Sequence, residues 1–175
     1  GIRDYKVTGV QTCALPISDN HVAIAKQAVG RLDRGDLAGA ERGFRRTLAL
    51  APHFPEAHYN LGVTLVRQQR YEEAIEAFRA AVHDNPRDAA ARANLGGCHA
   101  RAGRREEAIE ELRAAVGLDG DLVSARLNLA ACLLETGAAA DALEQARAVL
   151  AGQPDHAAAR QLVARCLAIL GTPPQ

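Results

Sequence analysis

The chain has 175 residues, of which 48% are hydrophobic and 24% are charged, a balance typical of a folded unit with its own core. Basic and acidic side chains number 21 each, so no strongly charged surface points to nucleic acid or to a membrane as the partner. No apolar run in the sequence is long enough to cross a bilayer.

The opening segment, residues 1–17 (GIRDYKVTGVQTCALPI), differs from everything that follows it. It is rich in β-branched and turn-forming residues, which allow a strand, but a helical protein offers no sheet edge to receive one. Thr8, Gly9 and Gln11 interrupt the apolar core that a signal peptide needs. Back-translated codons for most of the segment resemble a widely used short-read sequencing adapter. We therefore predict that residues 1–17 are an adapter-derived artefact without ordered structure, and that the natural N-terminus is missing from this sequence.

From Ser18 onward the sequence repeats with a period of 34 residues. Asparagines, alanines, glycines and prolines all follow this register. The matching residues are Asn60, Asn94 and Asn128; Ala40, Ala74, Ala108 and Ala142; Gly35, Gly103, Gly137 and Gly171; and Pro52, Pro86 and Pro154. The register predicts one repeat domain at residues 18–171, with units at 21–54, 55–88, 89–122 and 123–156, a final helix at 157–170 and a tail at 172–175.

Each unit is predicted to fold as two antiparallel helices joined by a short turn. In the second unit apolar residues recur at helical spacing from His58 to Leu65 and again from Ala74 to Val82. A polar break at residues 68–70 separates the two stretches. Small residues such as Gly62 lie on the side of the first helix that is expected to face the second helix, so we expect the two helices to approach closely.

The period and the residues at its repeated positions resemble the tetratricopeptide repeat family. The residues of the second unit that carry the resemblance are Leu61, Gly62, Ala74, Phe78, Ala81 and Pro86. The resemblance covers about residues 20–171 and implies an all-α fold, a right-handed α-solenoid of stacked helix-turn-helix repeats whose first helices line a concave groove. The chain departs from the family where a large aromatic residue begins the first helix, because Ile24, His58, Arg92 and Arg126 stand there.

The concave groove is the candidate binding site that the resemblance implies. Carried over residue by residue, its face comprises Lys26 in the first unit, Asn60, Val63 and Arg67 in the second, Asn94, Gly97 and Arg101 in the third, and Asn128, Ala131 and Glu135 in the fourth. Spacings of three and seven place each trio on one helical stripe. Arginines on this stripe would favour an acidic or C-terminal carboxylate group.

Asparagines on equivalent helices, about 10 Å apart, would meet about every third residue of an extended peptide. A side-chain amide both donates and accepts, so it can pair with the peptide backbone. This arrangement resembles the asparagine ladder of the O-linked N-acetylglucosamine transferases. The alternative is that the asparagines are structural and bond to neighbouring helices.

The sequence contains no pattern typical of a catalytic, metal or cofactor site. Cys98, Cys132 and Cys166 recur with the 34-residue period, but equivalent positions about 10 Å apart cannot share a zinc ion or form a disulfide. We expect them to be small packing residues. The six histidines lack the spacing of a zinc-binding helix, and no phosphate-binding loop or nucleophile elbow is present. No catalytic residue, metal or cofactor is therefore predicted.

The leading hypothesis is a non-catalytic interaction module that binds a partner peptide or domain in its groove. No nucleic-acid or membrane partner is predicted, and exposed ends would allow self-association. The alternative is a substrate-recruiting fragment of a larger enzyme of the glycosyl- or sulfotransferase type. Localisation is open, with free thiols slightly favouring the cytoplasm. The preference for arginine over lysine suggests a GC-rich bacterial source.

Overall fold

The computed structural model describes residues 17–171, and this part of the chain consists of nine α-helices joined by short turns. The helices are α1 (Ile17–Asp33), α2 (Leu37–Leu50), α3 (Pro55–Arg67), α4 (Tyr71–Asp84), α5 (Ala89–Arg101), α6 (Arg105–Leu118), α7 (Val123–Glu135), α8 (Ala139–Gly152) and α9 (Ala157–Leu170). The described residues include no β-strand, so the predicted all-α class is confirmed. Within the same residues no helix is both long enough and apolar enough to cross a membrane. Most of the predicted artefact, residues 1–16, and the tail, residues 172–175, lie outside this part.

The helices pack as hairpins that stack along one direction. The odd-numbered helices α1, α3, α5 and α7 each pack on the even-numbered helix that follows, and each even-numbered helix packs on the next odd-numbered one. Odd-numbered helices also contact each other, in the pairs α1–α3, α5–α7 and α7–α9, whereas even-numbered helices make extensive contact only with odd-numbered ones. The stack is therefore tighter along the odd-numbered helices, which places them on the concave side and the even-numbered helices on the convex side.

A left-handed backbone conformation follows each odd-numbered helix, once in every 34 residues. The residues that adopt it are Gly35, Gln69, Gly103, Gly137 and Gly171, with φ of 83°, 62°, 78°, 87° and 69°. Glycine enters this region without a steric cost from Cβ, and after α1, α5 and α7 it directs the chain into the turn toward the next helix. Gln69 is the one non-glycine residue with positive φ among residues 17–171.

Within the second and third hairpins the helices cross at a small residue, as the sequence predicts. A Cβ atom on Gly62 would lie 2.8 Å from the ring of Phe78, and one on Gly96 would lie 2.7 Å from Cγ of Leu112. Both large side chains are fully buried. Because glycine has no Cβ, it leaves room on one helix for the large side chain of the other helix.

Two apolar clusters form the core, one around Phe44 and Phe78 and the other around Leu112 and Leu129. The prediction that the repeated cysteines are packing residues is confirmed by their burial. Cys98 belongs to the first cluster, and Cys132 and Cys166 belong to the second. Burial raises the pKa of each thiol, and that of Cys98 reaches about 11.

Basic residues replace the family's large aromatic residue near the start of the odd-numbered helices, and they bond to the preceding loop. The Nε atoms of Arg92, Arg126 and Arg160 donate to the carbonyl oxygen six residues earlier, at 3.1, 2.6 and 2.9 Å. Nε2 of His58 lies 2.8 Å from the carbonyl oxygen of Pro52, which is also six residues earlier. These basic side chains fix the loop that connects one unit to the next.

Candidate functional site

All ten predicted groove residues lie on the odd-numbered helices that form the concave side. Lys26, Arg67, Arg101, Asn128 and Glu135 are exposed, and Asn60, Val63, Asn94, Gly97 and Ala131 are half-buried. The structure therefore presents all of these side chains, or the backbone at Gly97, at least partly to solvent. Their detailed contacts differ from unit to unit.

Two of the asparagines bond to their own helix. Nδ2 of Asn60 donates to the carbonyl oxygen of Glu56 at 2.7 Å. Nδ2 of Asn94 donates to the carbonyl oxygen of Ala90 at 3.0 Å and to the hydroxyl of Tyr59 at 3.1 Å, which engages both of its amide hydrogens. The side-chain oxygens of both asparagines accept no hydrogen bond from the described residues. Asn94 is thus available to a ligand as an acceptor only.

Asn128 has the least constrained amide of the three. It is exposed on α7, and its side chain forms no hydrogen bond with any residue that the structure describes. Its Nδ2 lies against α5, 3.7 Å from the place that a Cβ on Gly97 would occupy. Asn128 can therefore both donate to and accept from a peptide backbone, with open space beside it at Gly97.

The two groove arginines contact the turn of the preceding unit. Nη1 of Arg67 donates to the carbonyl oxygen of Leu32 at 2.7 Å, which satisfies a carbonyl at the end of α1. The guanidinium of Arg101 lies 5.5 Å from the centre of the Tyr71 ring, and its Nη1 donates to the Tyr71 hydroxyl at 3.4 Å. Arg67 is largely occupied in linking units, whereas Arg101 remains an exposed cation.

Glu135 takes the same position in the fourth unit and has the opposite charge. Its carboxylate accepts from Nε of Arg105 at 2.7 Å, and the two side chains are 52% and 46% exposed. This contact again joins an odd-numbered helix to the turn of the preceding unit. Solvent screens the pair, so Glu135 is mainly a local counter-charge at this end of the groove.

Tyr59 lies beside the predicted groove residue Asn60 but was not predicted from the sequence. Together with Asn60 and Asp88 it lines a cavity of about 210 Å³ between α3 and the start of α5. Its ring packs edge-on against Phe78 with centroids 5.7 Å apart. The repeat register gives no signal for it, because Ala93 and Leu127 stand at the equivalent positions.

A cluster of histidines surrounds Asp84 at the boundary of the first two units. Nδ1 of His53 and Nδ1 of His83 each lie 3.1 Å from Oδ1 of Asp84, and Nε2 of His58 lies 3.9 Å from Oδ2. The hydrogen bond from His83 lowers the pKa of the Asp84 carboxyl, and one from His53 adds to this effect against the opposing effect of burial. Among the described residues, no three His, Cys, Asp or Glu side chains are grouped so that they could hold a metal ion.

Sequence comparison finds the same repeat along most of the chain. Two families described as tetratricopeptide repeat match it, the first at residues 26–85 and 64–122 and the second at residues 101–166. These ranges include the whole predicted groove face.

MamA and YrrB are two of the solved structures that match most of this chain. MamA is 21% identical, with 88% of this chain and 84% of MamA covered and a TM-score of 0.83. YrrB, described as a tetratricopeptide repeat protein with an unusual peptide-binding site, is 23% identical, with 88% and 79% covered and a TM-score of 0.79. At this identity the likeness shows the fold, a solenoid of stacked helical repeats, as predicted.

Some longer proteins match only in part. The O-GlcNAc transferase of Thermobaculum terrenum is 27% identical, with 77% of this chain and 27% of that chain covered and a TM-score of 0.65. The PsbB mRNA maturation factor Mbb1 of Chlamydomonas reinhardtii chloroplasts is 45% identical over 56 residues. That match spans 31% of this chain and only 8% of the relative's length.

Proposed function

The chain belongs to the tetratricopeptide repeat family, whose members generally bind protein or peptide partners, and we propose that its concave groove holds an extended segment of a partner protein. The odd-numbered helices would contact the ligand, and the even-numbered helices would support them from behind. In this role the module recruits a partner and carries out no chemistry itself.

The unbonded side-chain oxygens of the three asparagines carry this proposal. Asn60, Asn94 and Asn128 recur on consecutive odd-numbered helices, and none of these oxygens accepts a hydrogen bond from the described residues. An extended peptide has backbone N–H groups that need acceptors once they leave water. Asn128 would supply a donor as well, so we expect it to make the strongest contact.

Side-chain selectivity would come from the residues beside the asparagines. The cavity at Tyr59 has room for a small or medium side chain of the ligand. The exposed guanidinium of Arg101 would attract a carboxylate. YrrB, described as having a peptide-binding site, supports peptide binding on a fold of this kind.

A display library of random peptides, selected on the purified chain, tests the proposal without knowledge of the natural partner. Peptides of about 12 residues are long enough to cross three odd-numbered helices. Affinities of the enriched peptides should then be measured for Asn128→Ala, for Asn94→Ala and for Arg147→Gln. Arg147 is an exposed residue of the convex helix α8 and serves as the matched control.

We expect Asn128→Ala to weaken binding about five- to tenfold, the effect of one or two lost hydrogen bonds. Asn94→Ala should weaken binding and also lower stability, because its amide bonds to Tyr59. The control should bind like the original chain. Peptides that enrich and bind equally well to both asparagine variants would show that the groove is not the binding site.

A second candidate function is substrate recruitment for an enzyme of which this chain is a part. The partial match to an O-GlcNAc transferase, at 27% identity over 77% of this chain, favours it over other enzyme classes. The same groove would then hold the acceptor protein. This function requires an adjoining catalytic domain in the same reading frame. Sequencing the genomic locus on both sides of the coding region tests for that domain directly.

A further inference from the structure

The cavity between α3 and the start of α5 is acidic and lies beside the groove asparagines. Glu56, Tyr59, Asn60 and Asp88 line it, and its volume is about 210 Å³. We call it the acidic cavity. Glu56 on α3 and Ala90 on α5 both border it, and each lies four residues before a groove asparagine. The acidic cavity therefore adjoins the helical stripes that a peptide in the groove would follow.

The charged side chains that line the acidic cavity are both carboxylates. Oδ1 of Asp88 accepts from the backbone N–H of Ala91 at 2.9 Å, and its second oxygen has no partner among the described residues. Glu56 is exposed, and its carboxylate forms neither a hydrogen bond nor an ion pair within that part of the chain. Both carboxylates are therefore available to a donor from outside.

The ends of two helices offset only part of this negative charge. Glu56 lies in the first turn of α3, and Asp88 is the N-cap of α5. A helix N-terminus carries roughly half a positive charge, so the two ends together balance about one of the two carboxylates. About one negative charge remains, and the cavity favours a cation over a neutral or acidic side chain.

The pair of carboxylates is specific to this junction of the repeat. Phe54 and Leu122 begin α3 and α7 without a side-chain cap, so the fold does not require an acid at the position of Asp88. Apolar or small residues replace Glu56 in the other units. The residues equivalent to Glu56 are Val22, Ala90 and Ser124, and those equivalent to Asp88 are Phe54, Leu122 and His156.

We propose that the acidic cavity binds a lysine side chain of the partner segment. This inference rests on the groove proposal and adds the identity of one ligand residue. The ammonium group of lysine has three N–H donors, which Glu56 and Asp88 would accept, while the Asn60 oxygen stays available to the peptide backbone. The aliphatic stem of the lysine would pack along the ring of Tyr59.

Peptides selected on the chain provide the probes. Those that Asn128→Ala weakens, and that therefore bind in the groove, are synthesised with a blocked N-terminus, so that lysine carries the only ammonium groups. Each lysine in turn is replaced by norleucine, which keeps the aliphatic stem and removes the charge.

The chain is varied in the same experiment. Fluorescence anisotropy measures the affinity of each peptide for the original chain, for Glu56→Gln/Asp88→Asn and for the control Glu72→Gln/Glu110→Gln. Asparagine at residue 88 retains the cap on α5. The control removes two exposed carboxylates from the convex helices α4 and α6.

We expect the peptides to share one lysine whose replacement by norleucine weakens binding to the original chain at least about tenfold. Glu56→Gln/Asp88→Asn should bind the lysine peptide at least about tenfold more weakly and should no longer distinguish lysine from norleucine. The control should change the affinity less than about twofold. Higher salt should reduce the preference for lysine on the original chain.

The outcomes separate this inference from the groove proposal. The inference is overturned, and the groove proposal stands, if peptides that depend on Asn128 bind equally well without lysine. It is also overturned if Glu56→Gln/Asp88→Asn still prefers lysine to norleucine, or if both double variants lose the same affinity. If no selected peptide depends on the groove asparagines, the groove proposal fails and this inference fails with it.

Discussion

Arg92 and Glu111 form a partly buried ion pair that joins the two helices of the third unit, with 2.9 Å between Nη1 and Oε2. The same arginine holds the carbonyl oxygen of Pro86 in the loop before α5. In the fourth unit Arg126 repeats this geometry, but its partner is the neutral Gln145, also at 2.9 Å. The two pairs compare a charged and a neutral acceptor for an arginine at one position of the repeat.

The substitution Gln145→Glu should therefore stabilise the chain. It replaces the neutral amide acceptor of the Arg126 guanidinium by a carboxylate and so creates an ion pair, for which we expect about 0.5–1 kcal/mol in the free energy of unfolding. The new carboxylate would lie four residues from Asp141, a spacing that Glu107 and Glu111 already share in the third unit. Urea unfolding at low and high salt measures the gain, which should shrink as salt screens the pair.

The control for this prediction is the same substitution in an Arg126→Gln background, where no gain should remain. The reciprocal change, Glu111→Gln, should lower the free energy of unfolding by a similar amount. If Gln145→Glu stabilises equally with and without Arg126, the gain does not come from this pair.

Gln69 is the only non-glycine residue in the series of left-handed turn positions. A side chain costs about 1 kcal/mol in this backbone region, and none of the hydrogen bonds among the described residues involves the Gln69 side chain. Gln69→Gly should therefore raise the free energy of unfolding by up to about 1 kcal/mol, although glycine also adds entropy to the unfolded chain. Thermal or urea unfolding of the variant checks this.

Gly103→Gln is the matched reverse substitution. No atom lies within 4 Å of a Cβ placed on Gly103, so the cost there is one of backbone conformation and not of collision. It should destabilise the chain by about 1 kcal/mol or more. Equal stability of Gly103→Gln and the original chain would contradict the conformational explanation for both positions.

His99 is a buried polar residue at a position that is leucine in the neighbouring units. It is 4% exposed, and its Nδ1 has no hydrogen-bond partner in the described part of the chain. Leu65 and Leu133 fill the equivalent places. His99→Leu should therefore raise the free energy of unfolding by about 1–2 kcal/mol at pH 8, since it removes an unpaired polar atom from the core.

The effect of His99 should also depend on pH. Burial lowers the pKa of His99 below its ordinary value of 6.5, so the unfolded chain takes up this proton more readily than the folded chain. As pH falls through 6.5, the original chain should lose stability that His99→Leu retains, and the difference between them should grow. Leu133→His should introduce a similar loss. A constant difference from pH 8 to pH 5 would show that His99 does not titrate in this way.

Much of the fold is predictable because repeated residues occupy repeated environments. Gly62 and Gly96 meet Phe78 and Leu112 in the same crossing, so the register alone indicates both contacts. The positions of the turns follow from Gly35 and its equivalents for the same reason. A residue that keeps the period reports a backbone requirement common to all units.

The site is less predictable because its contacts depend on neighbours that do not repeat. Asn94 and Asn128 share a register, but Tyr59 accepts from Asn94 and the next unit has Ala93 at the Tyr59 position. Periodicity locates these residues but does not indicate what surrounds them.

Gly97 allows stability and binding to be separated at one groove position. Alanine in place of this helical glycine should raise the free energy of unfolding by about 0.5–1 kcal/mol, since a Cβ there would make only an ordinary contact, 3.7 Å, with Nδ2 of Asn128. The same methyl group would fill the space beside the freest amide of the groove, so peptides selected on the original chain should bind Gly97→Ala more weakly. Gly117→Ala, in the exposed part of α6 where no atom lies within 4 Å of the new Cβ, is the control that should gain stability and keep its affinity. Unfolding experiments measure the stability of both variants, and fluorescence anisotropy measures their affinity for the peptides. A more stable Gly97→Ala chain with unchanged affinity would show that Gly97 does not lie on the binding surface.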